Sequence, residues 1–278
     1  MRISSPAPEG TAWQPSGFIK GSVALHAAAA LLTVVRPTLW PWTIGAVALD
    51  HLLLGGAGLW PRSRLLGPNW THLPAQRLPS VALTIDDGPD PEVTPQVLRL
   101  LEAQDARATF FCIGSRVAAH PALAREIIAR GHTIENHSYR HSMTFSLAGP
   151  RQIAADVRRA QAVIAEATGS APRFFRAPAG LRNPFLAPVL AQTGLTLVSW
   201  TRRGFDTVNT DPQHVLKRLT HGLSAGDILL LHDGHAARTA QGEPLILAVL
   251  PALLARLAAA KLRPVTLRSA FAPQAAAA

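Results

Sequence analysis

The sequence predicts an α/β fold, a distorted (β/α) barrel of about seven strands, preceded by an N-terminal apolar helical hairpin. Three observations carry this expectation. From about residue 80 onward, short apolar runs alternate with amphipathic stretches, the pattern of parallel strands with helices outside. The alternation gives six or seven units over roughly 190 residues, which suggests a barrel smaller and less regular than the eightfold one. Before it lie two apolar runs, residues 21–35 and 37–61.

Taken in order, residues 1–17 are rich in Pro, Ser and Gly and are expected to be disordered. The run GSVALHAAAALLTVV reaches the ~20 apolar residues of a spanning helix only with residues 18–20, whereas PTLWPWTIGAVALDHLLLGGAGLWP is long enough by itself. Trp40, Trp42 and Trp60 flank the second run as an aromatic belt would. Residues 18–61 therefore read as a transmembrane hairpin, with His26, Asp50 and His51 facing one another across it, where polar side chains pair. A signal or single anchor, and apolar helices packed on the soluble domain, are the other readings.

Residues 62–79, with their prolines, Gly67 and polar groups, read as a linker. Strands are expected at 81–85, 107–113, 132–135, 173–176, 195–200, 227–231 and 264–267. Helices are expected at 93–104, 120–130, 150–168, 185–193, 212–222 and 244–260. The α/β domain then covers 80–270, and 271–278 is expected to be a disordered tail.

The chain has 278 residues, 48% of them hydrophobic and only 16% charged, below the ~25% charged of ordinary soluble domains. Its net charge of +10 is nearly all arginine, the lysines being Lys20, Lys217 and Lys261. The arginines are scattered, with no basic helix stripe and no aromatic-interleaved patch, which argues against nucleic acid. The single cysteine, Cys112, excludes an intrachain disulfide and sits in the apolar run ATFFCIG, so it reads as a buried structural thiol.

Asp86 and Asp87 follow the first strand at its carboxyl end, the functional face of such an architecture. Consecutive residues point in different directions, so two adjacent carboxylates can serve two tasks. In ENHSYRH, His137 and His141 stand four apart, and on a helical turn that spacing puts both imidazoles on one face, as two metal ligands require. Two histidines and one aspartate fill three positions around a divalent ion and leave the fourth open, the mark of a catalytic site. In RFFRAPAG, Arg176 ends a strand, and a buried arginine near two carboxylates holds one of them ionised and oriented. His232 caps the most apolar strand, DILLLHDGH, and is a candidate general acid. Asp206 is placed to accept a hydrogen bond from it and raise its pKa. His120, His132, His221 and His235 have no nameable partner and read as surface or capping groups.

TIDDGP, HSYRH, RAPAG, SWTRRGFD and LLLHDG, in this order, resemble the five successive motifs of the polysaccharide deacetylase family, the NodB-homology group of carbohydrate esterases, family four. The resemblance covers about 80–267. It implies a metal-dependent hydrolase that removes N-acetyl or similar small acyl groups from amino sugars of a polysaccharide, oligosaccharide or lipid-linked glycan. It implies Asp86 as general base, with Asp87, His137 and His141 binding one divalent ion, usually Zn²⁺, sometimes Co²⁺. Arg176 then orients Asp86, His232 protonates the leaving amine, and Asp206 tunes His232. Leu230 lines the acetyl pocket with Trp200 as a neighbour, and the backbone N–H of Ala179 joins the metal in holding the oxyanion. Ala179 stands where many members carry Tyr or Trp. Arg203 stands where an acidic residue is common, and Thr207 where a Trp is usual, so the pocket is expected to be more open and more cationic.

An O-acetyl esterase and a deformylase of lipid-linked amino sugars fit the same site. A non-enzymatic carbohydrate-binding protein would be expected to lose Asp86, a ligand or His232, and all are present. Arg2 and Lys20 precede the first span, and Arg62, Arg64 and Arg77 follow the second. The positive-inside tendency then places the catalytic domain on the cytoplasmic face of a bacterial-type inner membrane. Arg36 in the short link counts against this, and a single span would send the domain outside.

Overall fold

The computed structural model describes residues 13–75 and 79–272. Residues 1–12 and 273–278, most of the two ends expected to be disordered, lie outside the described residues, as do Arg2 and Arg77.

Two helices open the chain, α1 (Gly17–Val35) and α2 (Trp40–Leu59), joined by a single turn at Pro37–Leu39. Ser16 caps α1, its Oγ accepting the Ile19 N–H at 3.2 Å. Both helices are long and apolar enough to cross a membrane, with mean hydropathy 1.7 and 1.3. Most of their large apolar side chains are exposed, Val34 to 79% and Leu52 to 72%. The two helices meet instead along polar contacts, Ser22 to Asp50 and Thr33 to Thr43.

The barrel follows as β1 (Ser80–Asp86), α3 (Thr94–Glu102), β2 (Thr109–Cys112), α4 (Gly114–Ala119), α5 (Pro121–Ala129) and β3 (Thr133–Asn136). It continues as α6 (Pro150–Thr168), β4 (Phe174–Phe175), α7 (Leu186–Gln192), β5 (Thr196–Leu197) and β6 (Arg202–Arg203). It ends with α8 (Pro212–Thr220), β7 (Ile228–His232), α9 (Leu245–Ala259), β8 (Arg263–Val265) and α10 (Leu267–Phe271). All strand pairs are parallel, in the order β5-β4-β3-β2-β1-β7-β6, with β8 on β1. The expected distorted (β/α) barrel is what the chain forms.

Its closure is irregular. β5 and β6 are the two ends of one stretch, 196–203, so the outermost strands of the order are the same piece of chain. The single strand expected at 195–200 is thus shortened to β5, and β6 beyond it was not expected. Trp70 slips into the gap, its N–H on the Leu197 carbonyl and its carbonyl on the Ser199 N–H. Beyond it the stretch turns to β7 through the Thr201 N–H on Ile228. The helix expected at 120–130 is likewise preceded by a separate one, α4. Pro121 keeps His120 (φ −130°, ψ 57°) out of the helical region, so one apolar run becomes two helices.

The two-residue period of strands sorts the side chains. Val81, Leu83 and Ile85 of β1, Phe110 and Cys112 of β2, and Leu229 and Leu231 of β7 pack outward with the leucines of α9. The alternate residues Ala82, Phe111, Ile228 and Leu230 pack inward with Trp70 and Trp200. The same period, running on through Thr84 to Asp86 on β1 and from Leu230 to His232 on β7, brings both to the rim. Cys112 is a buried free thiol, as expected.

Buried Glu135 of β3 is held by Arg268 Nε at 2.6 Å and by the N–H groups of Arg173 and Phe174. Removing one partner of a buried pair leaves an uncompensated charge. Arg268→Ala is expected to cost about 3 kcal/mol, the low end of that range, since the Arg268 side chain is still 21% exposed. A denaturant titration of the detergent-solubilised protein checks this.

Candidate active site

Asp86 ends β1 on its inner face and is the register partner of His232 at the end of β7. Asp87 takes φ 76°, so the chain leaves the strand at that residue and the second carboxylate turns away from the first. Asp86 Oδ1 accepts Arg176 Nη1 at 2.7 Å. Its other oxygen lies 3.9 Å from His137 Nε2. Asp87 Oδ1 lies 3.2 Å from both His137 Nε2 and His141 Nε2.

The two histidines do not ride on a helical turn. They sit in the loop after β3, where Ser138 (φ 63°) and His141 (φ 51°) are left-handed. Short polar residues set that path. Asn136 Oδ1 accepts the Ser138 N–H, Asp156 Oδ2 accepts the Tyr139 N–H, and Ser138 Oγ accepts the His141 N–H. The loop still brings the two rings to 4.9 Å.

Arg176 follows β4 and is 1% exposed. Nη1 also bonds Thr84 Oγ1 at 2.7 Å, Nη2 the Ser199 carbonyl and Nε the Val198 carbonyl, and the guanidinium stacks 4.1 Å over Phe111. The Arg176 carbonyl lies 2.8 Å from His137 Nδ1. A carbonyl only accepts, so that nitrogen carries the proton, and Nε2 is the nitrogen turned toward Asp87.

His232 donates its backbone N–H to Asp206 Oδ2 at 2.7 Å, and its Nδ1 lies 2.9 Å from Asp206 Oδ1. With the proton on Nδ1 facing the carboxylate, Nε2 is left for the cleft. Burial of His232 works against its charged form. The fully buried Asp206 carboxylate outweighs that, and the net pKa lies above the ordinary histidine value.

These groups line a cleft of about 510 Å³. Asp86, Asp87, His137, His141, Ala179, Trp200, Leu230 and His232 face it, while Arg176 and Asp206 stand behind as supports. Arg116, Arg140, Arg203 and Thr207 complete the wall, so it is cationic, as the departures at Arg203 and Thr207 suggested. Ala179 has φ 53° in the turn Pro178–Gly180. A Cβ on Gly180 (φ 75°) would meet Trp200 and Pro61 at 2.6 and 2.7 Å, so the exit of α2 abuts this wall.

Sequence reasoning missed His235. Its Nδ1 lies 2.9 Å from Asp87 Oδ2, and Arg116 Nη2 lies 3.2 Å from its Nε2. Gly234 lets it approach, since a Cβ there would collide with the Asp87 carbonyl and Arg116. The partner is 148 positions away, so no local spacing signals the contact. Asp233 was missed too. It is buried and takes a hydrogen bond from Thr94 Oγ1 at 2.5 Å. Burial, helped by Asp87 and Asp90, pushes its carboxyl up to about 7.

Asp87, His137 and His141 fit a divalent cation. Asp87 Oδ1 is buried and has no hydrogen-bond donor aligned on it. One donor atom from each residue lies within 4.8 Å of the others. Burial alone would raise Asp87, but the imidazoles of His137 and His235 outweigh it and hold the carboxyl well below the usual range. Burial, with His137 beside it, lowers His141 to about 4, which keeps that ring neutral and its lone pair free. Two imidazole nitrogens and a carboxylate suit zinc and its first-row neighbours.

The polysaccharide deacetylase family model matches residues 75–198. The chain is 35% identical over 156 residues to a peptidoglycan-N-acetylglucosamine deacetylase of Bacillus cereus, covering 55% of this chain and 72% of that protein. The chain belongs to the polysaccharide deacetylase family. A chitooligosaccharide deacetylase of Bradyrhizobium is 36% identical over 157 residues, 56% of this chain and 71% of that one. The structure of a family 4 carbohydrate esterase from Streptomyces lividans, in complex with acetate, superposes with TM-score 0.61 at 33% identity, over 68% of this chain and 93% of that one. The polysaccharide deacetylase match includes Asp86, Asp87, His137, His141, Arg176 and Ala179 and stops before Trp200, Asp206, Leu230 and His232. The geometry brings both groups to one cleft.

Asp206→Asn removes the charge that raises His232. The pKa of His232 is therefore expected to fall, and a histidine NMR titration of metal-free protein should show its midpoint moved to lower pH. An unmoved midpoint would refute the coupling.

Proposed function

We propose that the chain hydrolyses the N-acyl bond of an acetylated amino sugar in a glycan, with Asp86 as general base and His232 as general acid. Family membership makes it a hydrolase of carbon–nitrogen bonds. The observation that carries the assignment of roles is the Asp86–His232 register pair, a carboxylate and an imidazole on adjacent strand ends, beside the triangle of Asp87, His137 and His141.

Asp87, His137 and His141 would hold one divalent cation, zinc first among the candidates, whose Lewis acidity polarises the acyl oxygen and water. Asp86, fixed by Arg176, takes a proton from water as it attacks the acyl carbon. The Ala179 N–H, in the turn bordering the cleft, would donate to the developing oxyanion, where loss of one donor typically costs ~10²–10³ in rate. His232 gives its Nε2 proton to the departing nitrogen. The products are a carboxylate and a free amine. Leu230, with Trp200 beside it, forms the apolar floor that takes the acyl methyl.

The hairpin serves as a membrane anchor in this reading. Both of its open ends meet the barrel side, Ser16 Oγ at the Leu65 carbonyl and the Gly58 carbonyl at the Arg182 N–H. Lys20, Arg62 and Arg64 gather there against Arg36 at the tip, which favours a cytoplasmic domain. The cationic wall beside Pro61 then suits a glycan carrying an anionic lipid-linked group. Reporter fusions after residue 75 and at the C-terminus test the side. Phosphatase activity without cytoplasmic reporter signal would refute it.

The deciding experiment measures amine release by the detergent-solubilised protein from N-acetylated, N-formylated, O-acetylated and lipid-linked amino sugars. Asp86→Asn and His232→Ala are each expected to lower kcat by about 10²–10⁴. Chelation should abolish turnover and a divalent ion restore it. Full activity in Asp86→Asn would remove the base from the scheme, and release of acetate without amine would make the enzyme an esterase.

A further inference from the structure

A second set of metal-type donors lies outside the barrel, halfway along the hairpin. His26 is in the middle of the 19-residue α1, and Asp50 and His51 are in the middle of the 20-residue α2. His26 Nδ1 is 2.8 Å from the Ser22 carbonyl, and His51 Nδ1 is 2.8 Å from the Val47 carbonyl. Each carbonyl can only accept, so each ring keeps its proton on Nδ1 and bares the lone pair of Nε2. Among the described residues neither Nε2 has a hydrogen-bond partner. The rings meet edge to face, centroids 5.1 Å apart. Asp50 is buried between the helices, and Ser22 Oγ donates to its Oδ2 at 2.6 Å.

We propose that His26, Asp50 and His51 form a second divalent-metal site that clamps α1 to α2. One donor atom from each lies within 4.8 Å of the others. The set repeats that of the barrel, one carboxylate oxygen and two imidazole nitrogens, and takes the same class of ion, Zn²⁺ or a first-row neighbour. Bonds of ~2.1 Å in a tetrahedral array place donors roughly 3.4 Å apart, so the triangle closes on binding. His51, on the exposed flank, is the ring that turns inward. A single Ser22–Asp50 hydrogen bond would suffice to pin two helices. It does not account for two rings locked in the same tautomer next to that carboxylate, with His26 Nδ1 3.8 Å from Asp50 Oδ2. The site rests on the hairpin's own geometry, whatever surrounds the hairpin and whatever the barrel site holds.

The test is metal stoichiometry of the untagged full-length protein in detergent, equilibrated with Zn²⁺ and measured by plasma mass spectrometry. Four proteins are compared: wild type, H26Q/H51Q, H137A/H141A and the quadruple variant. The proposal expects the wild type to bind about one ion more than H26Q/H51Q, and H137A/H141A to bind about one more than the quadruple variant. Glutamine keeps the polarity and approximate size of each ring. Retained amine release by H26Q/H51Q, or retained circular dichroism, confirms that it is folded. Co²⁺ loaded into H137A/H141A should give visible d–d absorption that the quadruple variant lacks. Equal Zn²⁺ content in wild type and folded H26Q/H51Q overturns the site, as does colourless Co²⁺-treated H137A/H141A. A wild type that holds one ion, lost with His26 and His51, supports the hairpin site and refutes the barrel one.

Discussion

The guanidinium of Arg176 is the contact on which the architecture turns. It sits in the barrel's throat, bonded to Thr84 and Asp86 of one strand and to the Val198 and Ser199 carbonyls of the closing stretch, and stacked on Phe111 of a third element. A charge this deep is tolerated only because each of its three nitrogens has a partner and a carboxylate stands beside it. Its own backbone carbonyl faces His137 Nδ1. One residue thus sets the orientation of the proposed base with its side chain and the tautomer of a proposed metal ligand with its main chain. Chemistry and barrel closure are held by the same group.

Two adjacent carboxylates at a strand end pose an electrostatic problem that the backbone solves. Asp86 stays on the strand and faces Arg176. Asp87 departs at positive φ and faces three imidazoles. The repulsion between them is offset by partners on opposite sides, so both can remain carboxylates with different work to do. His232 joins them because β7 lies next to β1 in register, and the inward period of each strand ends on the residue that matters.

Much of this was legible in the sequence, because strand and helix periods are local. α6 was expected at 150–168, and β1 and β7 were each expected within a residue or so of their ends. Asp86, Asp87, His232 and Arg176 could be singled out because each sits beside a recognisable strand end. What escaped was set by partners distant in sequence. The split at 196–203 depends on Trp70, a residue from a stretch with no strand pattern of its own. The loop carrying His137 and His141 is shaped by Asn136, Ser138 and Asp156, so a spacing that suits a helix is realised without one. His235 reaches Asp87 from the neighbouring strand end but from 148 positions along the chain, and Gly234 marks the approach only once the fold is known.

Trp70 and Pro61 also bear on where a self-sufficient catalytic unit begins. Cut to begin where the family-matched stretch begins, at residue 75, the chain would lose the indole-bearing backbone wedged between Leu197 and Ser199. It would also lose the Pro61 carbonyl that receives Ser199 Oγ. The wound would open at Ser199, whose carbonyl receives Arg176. A soluble version that keeps its throat intact therefore has to start upstream of Pro61, in sequence that a cut guided by family likeness alone would throw away.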